Sequence, residues 1–370
     1  MNDVQKDLIY LLSCAVNGLA PDKERVQAME LEQLYQLAKF HTVSAAVCIA
    51  LERAGVEEEQ FIQALNKAIR KNIFLDIERK SITEELDKRG IWYMPLKGAI
   101  IKELYPENGM REMADNDMLY DRTKQAEVRE LMLGMGYTAK SVGRDNQDVY
   151  IKPPVLNFEL HTELFSFGHT EFLYNYYADT RRLLLKDDDN SCGYHFSDED
   201  FYVYMTAHEW KHHSRGGTGV RSLYDCYVYC KVKGSSLDWD YIKEQCRQLK
   251  IAGFEIKRRR LAMKVFSSDK LPALTESEQE LLMMYLTAGA YGTFENRIKK
   301  KLQGQSKLSF CLHSIFIPRR QMNVSVPFTA KSPLLYPVGA VCHSIRMLIF
   351  KRDRIKQAIK VLKENDKQTL

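Results

Sequence analysis

Apolar positions recur at helical spacing up to about residue 90, switch to a strand-like period over roughly the next hundred residues, and return to helical spacing beyond about 197. In the first stretch Leu31, Leu34, Leu37 and Ala38 share a helix face, and Ile62, Leu65, Ile69, Ile73 and Ile77 form a second stripe. Pro21 and Gly55 punctuate these helices, and Lys88-Arg89-Gly90 closes the last one with cations in its final turn and a glycine after it. Ile91 to Met94 is β-prone and stops at Pro95, and Gly98 to Leu104 predicts a short helix ended by Tyr105-Pro106. Asp117 to Tyr120 predicts a second strand. Thr123 to Met135 predicts a helix with Val128, Leu131, Met132 and Met135 inward, capped by Gly136, and Tyr137 to Ser141 a third strand. Asp148 to Lys152 and Val155 to Thr162, on either side of Pro153-Pro154, predict a hairpin. The order β-α-β-α-β-β-β describes an α+β fold, a small mixed β-sheet with helices on one side. It occupies residues 91–195, between an N-terminal helical region (1–90) and a C-terminal one (196–370).

The chemistry concentrates in Met94-Pro95-Leu96-Lys97-Gly98-Ala99 and in Arg111-Glu112-Met113-Ala114-Asp115-Asn116-Asp117-Met118. This reads as strand, glycine turn, short helix, loop, and a second strand that opens with two carboxylates. Side chains alternate along a strand, so Asp115 and Asp117 project together while Asn116 and Met118 turn the other way. Two aligned carboxylates suit a hard divalent cation, Mg²⁺ or Mn²⁺, which can clamp the oxygens of a transferring phosphoryl group. From Val155 to Glu163 the chain alternates again, placing Glu159, His161 and Glu163 on one face. If that strand lies beside Asp115 to Tyr120, Glu159 joins the aspartates, and three acids in one cleft need a cation or protons to coexist. Such a triad serves nucleotidyl transfer from an NTP, with a second metal or Glu159 as base helping an acceptor attack the α-phosphate. Lys97-Gly98 sits where a strand meets a helix N-terminus, a place where backbone can approach phosphate closely. Lys97 and Arg111 can neutralise a triphosphate. His161 either lines the cleft or braces a neighbouring strand. Singly, each feature has an ordinary meaning: Asp-x-Asp occurs on many loops, a lysine is a surface residue, a glycine makes a turn. Their order and spacing together carry the reading.

The run Leu96-Lys97-Gly98, Tyr105-Pro106, Arg111, Asp115-Asn116-Asp117, Glu159-Leu160-His161 resembles the uncharacterised nucleotidyltransferase family of the polymerase-β-like superfamily. Leu37-Ala38-Lys39-Phe40-His41-Thr42-Val43 is similar to the family's N-terminal helical pattern, and His208 with Arg221-Ser222-Leu223-Tyr224-Asp225 to its C-terminal one. The resemblance covers most of residues 30 to 230. It implies a metal-dependent nucleotidyltransferase fold with Asp115, Asp117 and Glu159 as the acids. Two departures stand out: Lys97-Gly98 replaces the superfamily's Gly-Ser, and Glu159 stands where Asp is common. ATP is the expected NTP, and the acceptor, whether small molecule, sugar, protein or RNA, is not specified by the fold.

A competing motif is His208-Glu209-Trp210-Lys211-His212, which fits the zinc-peptidase pattern His-Glu-x-x-His with Glu209 as base and Glu244 as the best third ligand. In the nucleotidyltransferase reading, Lys211 or His212 reaches a nucleotide phosphate instead. Arg221 and Asp225, four apart, can pair or brace the core domain. A third reading is a non-catalytic, nucleotide-binding relative of the fold.

Composition narrows the setting. A chain of 370 residues with 45% apolar and 28% charged residues is an ordinary globular protein, and a net charge of +5 fits an anionic substrate. Lys257-Arg258-Arg259-Arg260 and Lys299-Lys300-Lys301 read as solvated helix faces within cations spread along the chain, and Asp187-Asp188-Asp189 as a solvated loop. Eight cysteines without a Cys-x-x-Cys pair predict free thiols in a reducing compartment. Asp3 and Asp7 before the apolar run Leu8 to Val16 do not make a signal peptide. Leu334 to Phe350, interrupted by Pro337, His343 and Arg346, is too short and polar to span a bilayer. A cytoplasmic protein with no membrane partner is the expectation.

Overall fold

Local capping starts the chain. Asn2 and Gln5 form a capping box at the head of α1 (Asp3–Asn17), and Asp22 caps α2 (Lys23–Gln27). Helices α3 (Leu31–His41), α4 (Ser44–Arg53) and the long α5 (Glu59–Lys88) follow. The structure is a computed structural model that describes residues 1–143, 146–167, 171–188, 191–290, 306–317 and 319–350, with Gly292, Ile298, Leu302 and Ala358 besides. The stripe read over Ile62 to Ile77 needs correction. The buried line of α5 runs through Phe61, Ala68, Leu75 and Ile82 with Leu86, whereas Ile73 and Ile77 are exposed. Steps of four residues rotate about 40° each around a helix, so the Ile69-Ile73-Ile77 sequence walks off the packed side.

The sheet elements come in the expected order. They are β1 (Tyr93–Pro95), α6 (Gly98–Ile101), β2 (Asn116–Tyr120), α7 (Gln125–Gly134), β3 (Thr138–Ser141), β4 (Gln147–Lys152) and β5 (Leu156–His161). Spatially the sheet runs β1-β2-β5-β4-β3, with β2 and β5 parallel and the other pairs antiparallel. Met118, Tyr120, Phe158 and Leu160 pack with Leu75, Ile82 and Leu86 of α5 and Val128, Leu131 and Met132 of α7. Asn116 turns the same way and donates from Nδ2 to the Leu75 carbonyl at 2.8 Å. The opposite face of β2 and β5 carries Asp117, Glu159 and His161, with Leu119 joining the core on that side.

After α8 (Glu171–Tyr176) a small second sheet, β6 (Leu184–Lys186) with β7 (Tyr194–Phe196), was not legible in the sequence. Asp187, read as part of a solvated loop, lies 2.6 Å from His195 Nδ1, and Asp189 lies outside the described residues. The chain is then helical: α9 (Asp198–His213), α10 (Val220–Lys233), α11 (Trp239–Gln248), α12 (Ala252–Phe266), α13 (Glu276–Ala288), α14 (Lys307–Ile315), α15 (Arg319–Ser325) and α16 (Tyr336–Phe350). Compactness divides the chain into residues 1–210 with 219–290, and residues 211–218 with 291–370. The changes of character near 90 and 195 thus fall inside the first unit, where one core joins α1, α3 and α4 to α9, α10, α12 and α13. Cys14, Cys48, Cys192, Cys226, Cys230, Cys246 and Cys342 are free, and among the described residues no helix is long and apolar enough to cross a membrane.

His41, at the end of α3, ties three helices of this unit. Its Nε2 lies 3.2 Å from the Leu286 carbonyl, and its Nδ1 accepts from the Val220 N–H at 3.3 Å. That pair of bonds requires the neutral ring protonated on Nε2. Burial lowers the His41 pKa from 6.5 to about 4. Its contribution to stability is therefore complete above pH 6.5 and is lost as pH falls toward 4, by up to about 3 kcal/mol. Urea midpoints measured between pH 7 and pH 4 should show that decline, and His41→Gln should flatten it.

Candidate active site

The parallel register of β2 and β5 sets Asp117 directly opposite Glu159 and Leu119 opposite His161. His161 Nε2 lies 2.7 Å from Asp117 Oδ1, and Lys97 Nζ donates to the same oxygen at 3.0 Å. From the next strand, Gln147 Nε2 donates to Glu159 Oε2 at 2.7 Å. One ligand atom each from Asp117, Glu159 and His161 lie within 4.8 Å of one another.

The three acids titrate apart. Burial would raise Asp117, but Lys97 and His161 outweigh it and hold the carboxyl well below the usual range. Burial and the Asp117 charge raise Asp115. Glu159 is pushed up to about 7 by burial, then by Asp117 and Asp115. Divergent carboxyl groups in one site are the electrostatic pattern that divides acid and base roles. A donor set of two carboxylates and an imidazole suits a divalent cation, which would also relieve the charge that burdens Glu159.

Lys97 reaches the site from a strained backbone. Its φ is +41° and ψ −108°, and its carbonyl accepts from the N–H groups of Ile100 and Ile101, both at 3.0 Å. A lysine rather than a glycine at such angles costs about 1–3 kcal/mol. Lys97→Ala and Lys97→Gly both delete the ion pair, but only the glycine relaxes the strain. Lys97→Gly is expected to be about 1 kcal/mol more stable than Lys97→Ala, read from urea midpoints.

A family model for an uncharacterised nucleotidyltransferase matches residues 27–267. The chain belongs to the uncharacterised nucleotidyltransferase family. A solved structure, an antigenic nucleotidyltransferase-like protein from Paracoccidioides brasiliensis, is 13% identical with a TM-score of 0.35. It aligns over 57% of this chain and 96% of its own. No curated protein matches.

In this nucleotidyltransferase-family chain several motif residues brace the acid cluster. Arg111, read as a triphosphate cation, forms a buried fork with Asp225: Nε donates to Oδ1 at 2.8 Å and Nη2 to Oδ2 at 2.9 Å. Tyr105 donates to the same Oδ1 at 2.7 Å. The guanidinium is thereby taken up by protein, and of the two roles open to Arg221 and Asp225, pairing or bracing the core domain, Asp225 takes the second by holding Arg111 and Tyr105. Gly98 has a packing reason: a Cβ there would lie 2.7 Å from Met113 Cε and 2.8 Å from Arg111 Nη1. Glu163 lies past the end of β5 and pairs with Arg122 at 3.2 Å.

Sequence reading missed two neighbours. Lys71 of α5 donates to the Ala114 carbonyl at 2.6 Å and, with Lys97 and Arg221, lowers the proton affinity of Asp115. Gln147 holds Glu159. Lys71 precedes Asp115 by 44 residues, and no local spacing marks it. Arg221 donates to the Glu112 carbonyl at 3.3 Å, just before the acids.

The zinc-peptidase geometry fails at its base. Glu209 is buried, accepting from Arg258 Nη1 at 2.9 Å and from Tyr285 at 2.6 Å. Glu244 is held by Arg247 on the same exposed helix face. Among the described residues the metal-sized group of His, Cys, Asp and Glu is Asp117, Glu159 and His161. Arg258, read as solvated within a basic run, is fully buried as the partner of Glu209. Lys211 and His212 occupy the last turn of α9 and belong to the second compact unit.

Proposed function

We propose that the protein transfers a nucleoside monophosphate from an NTP, with ATP the first to test, to a hydroxyl or phosphate of an acceptor, with Mg²⁺ or Mn²⁺ as cofactor. The observation that carries this reading is Asp117 opposite Glu159 on neighbouring parallel strands, with His161 and Lys97 on one Asp117 oxygen. Asp117, Glu159 and His161 would hold the cation, with Asp115 beside them. Bound there, it would neutralise phosphate charge.

The chain's own groups do the rest. Lys97, Lys71 and Arg221 set positive charge around Asp115, where a polyphosphate would lie. Gln147 fixes Glu159 Oε2, so Oε1 is the atom that takes the acceptor's proton. Without a cation the Glu159 carboxyl titrates at about 7; a bound cation would lower it and keep Oε1 ionised and ready for that proton at neutral pH. The acceptor oxygen bonds to the α-phosphorus, the bond to the β-phosphate oxygen breaks, and pyrophosphate leaves.

The same proton supplies a test that needs no acceptor. A proton on Glu159 competes with the cation, so Mn²⁺ affinity should fall about tenfold per pH unit below pH 7 and level off above it. Mn²⁺ binding followed by electron paramagnetic resonance between pH 5.5 and 8.5 reads this directly. In Glu159→Gln the affinity should be low and the pH slope shallower, since a proton on His161 still competes with the cation. A wild-type protein that binds no Mn²⁺ at any of these pH values would remove the metal from the proposal.

A further inference from the structure

The whole-chain charge of +5 hides a segregation of the acids, while the cations remain spread along the chain. Residues 291–370 carry 16 Lys and Arg against 4 Asp and Glu, whereas residues 1–290 carry 38 against 45. The formal charges are therefore +12 and −7. From residue 296 to residue 352 there is no acidic side chain and there are eleven basic ones.

In the same segment α16 presents an apolar face outward. Val338, Val341, Ile345, Leu348 and Ile349 are each 51 to 65% exposed. At 100° per residue they fall within an arc of about 100°. Leu334, just before the helix, is 87% exposed. The reverse side is the packed one. Ala340 is buried with Met322 and Val326, and a Cβ on Gly339 would collide with Thr329. Tyr336 donates to the Ile317 carbonyl at 2.6 Å. The helix is thus anchored through one face and leaves a full apolar stripe on the other. Helix α14 lies against α16 and adds exposed Leu312, Ile315 and Phe316. Arg319, Lys331 and Arg346 are exposed within the same unit.

We infer that the second compact unit docks on an anionic lipid surface, with the stripe of α16 seated at the headgroup–acyl boundary and the surrounding cations on the headgroups. An apolar face joined to excess positive charge is what interfacial helices use. A nucleic acid would satisfy the cations and leave the stripe in water. A second copy would bring +12 against +12. Pro337, His343 and Arg346 interrupt the apolar run of α16, so it suits the plane of the interface and not a span across it. This adds surface attachment to a chain in which the sequence predicts no membrane partner.

The test is sedimentation of the full chain with vesicles of phosphatidylcholine alone and with about 30% phosphatidylglycerol added. Binding to the anionic vesicles, weakened by salt, is expected. Val341→Ser/Ile345→Ser/Leu348→Ser should cut that binding at least about tenfold, because these exposed side chains contribute partition energy and not core packing. Circular dichroism matching wild type would show that the variant is folded. Three results overturn the inference: no binding to anionic vesicles, equal binding by the variant, or a wild-type dimer that the variant converts to monomer without any vesicle binding. Tight binding of single-stranded RNA by both proteins, with vesicles ignored, assigns the cations to nucleic acid and also overturns it.

Discussion

Asp117→Asn is expected to lower turnover by about a thousandfold or more, whichever acceptor is used. The substitution keeps size and one acceptor oxygen but removes the charge on which Lys97 and His161 converge. Two further effects separate this from simple damage. Glu159 loses its strongest repulsive neighbour, so its pKa should fall from about 7 toward the ordinary carboxyl range. Lys97 loses its counter-charge in a largely buried place, so its ammonium becomes easier to deprotonate. Mn²⁺ affinity should therefore drop, and what remains should depend on pH over a lower range. Pyrophosphate release is the readout for turnover, starting with water or glycerol as generic acceptors. Unchanged release in this variant would sink the assignment of Asp117.

The largest loss of stability is expected at Asp225. Its two oxygens accept from Arg111 and Tyr105 in a buried place. Asp225→Leu leaves a buried guanidinium without counter-charge, which costs about 3–5 kcal/mol. The double variant Arg111→Met/Asp225→Leu should recover most of that loss, because neither partner is then stranded. Urea unfolding of the two single variants and the double one closes the cycle. If Arg111→Met instead kept full stability and lost nucleotide affinity, Arg111 would return to the phosphates.

The two positions also mark what sequence could and could not disclose. Strand alternation was enough to separate Asp117 from Asn116, because the period of two is local and the buried face is apolar. Pairing of β2 with β5 was legible as a condition, since the hairpin around Pro153-Pro154 orders its own strands but does not choose their neighbour. The burial of Arg258 and the protein partners of Arg111 and Gly98 were not legible for one reason. A charged or small residue looks the same in sequence whether its partner is a phosphate or a side chain far along the chain. Lys71 was missed because α5 crosses beneath the acids by tertiary packing, which leaves no periodic trace. Exposed Ile73 and Ile77 passed as core because apolar spacing alone does not say which side of a long helix finds a neighbour.

The Arg111–Asp225 fork has a consequence in time. Its partners stand 114 residues apart, and Arg111 leads directly into the strand that bears the acids. During synthesis the sheet can be complete in outline while Arg111 still awaits α10, so the acid cluster is locked only after the later helix has left the ribosome. Loop closure over that span makes the step a late one. A chain cut anywhere between the sheet and residue 225 should therefore lose the setting of its carboxylates, together with the core that Met94, Leu96 and Leu119 share with α9 and α10.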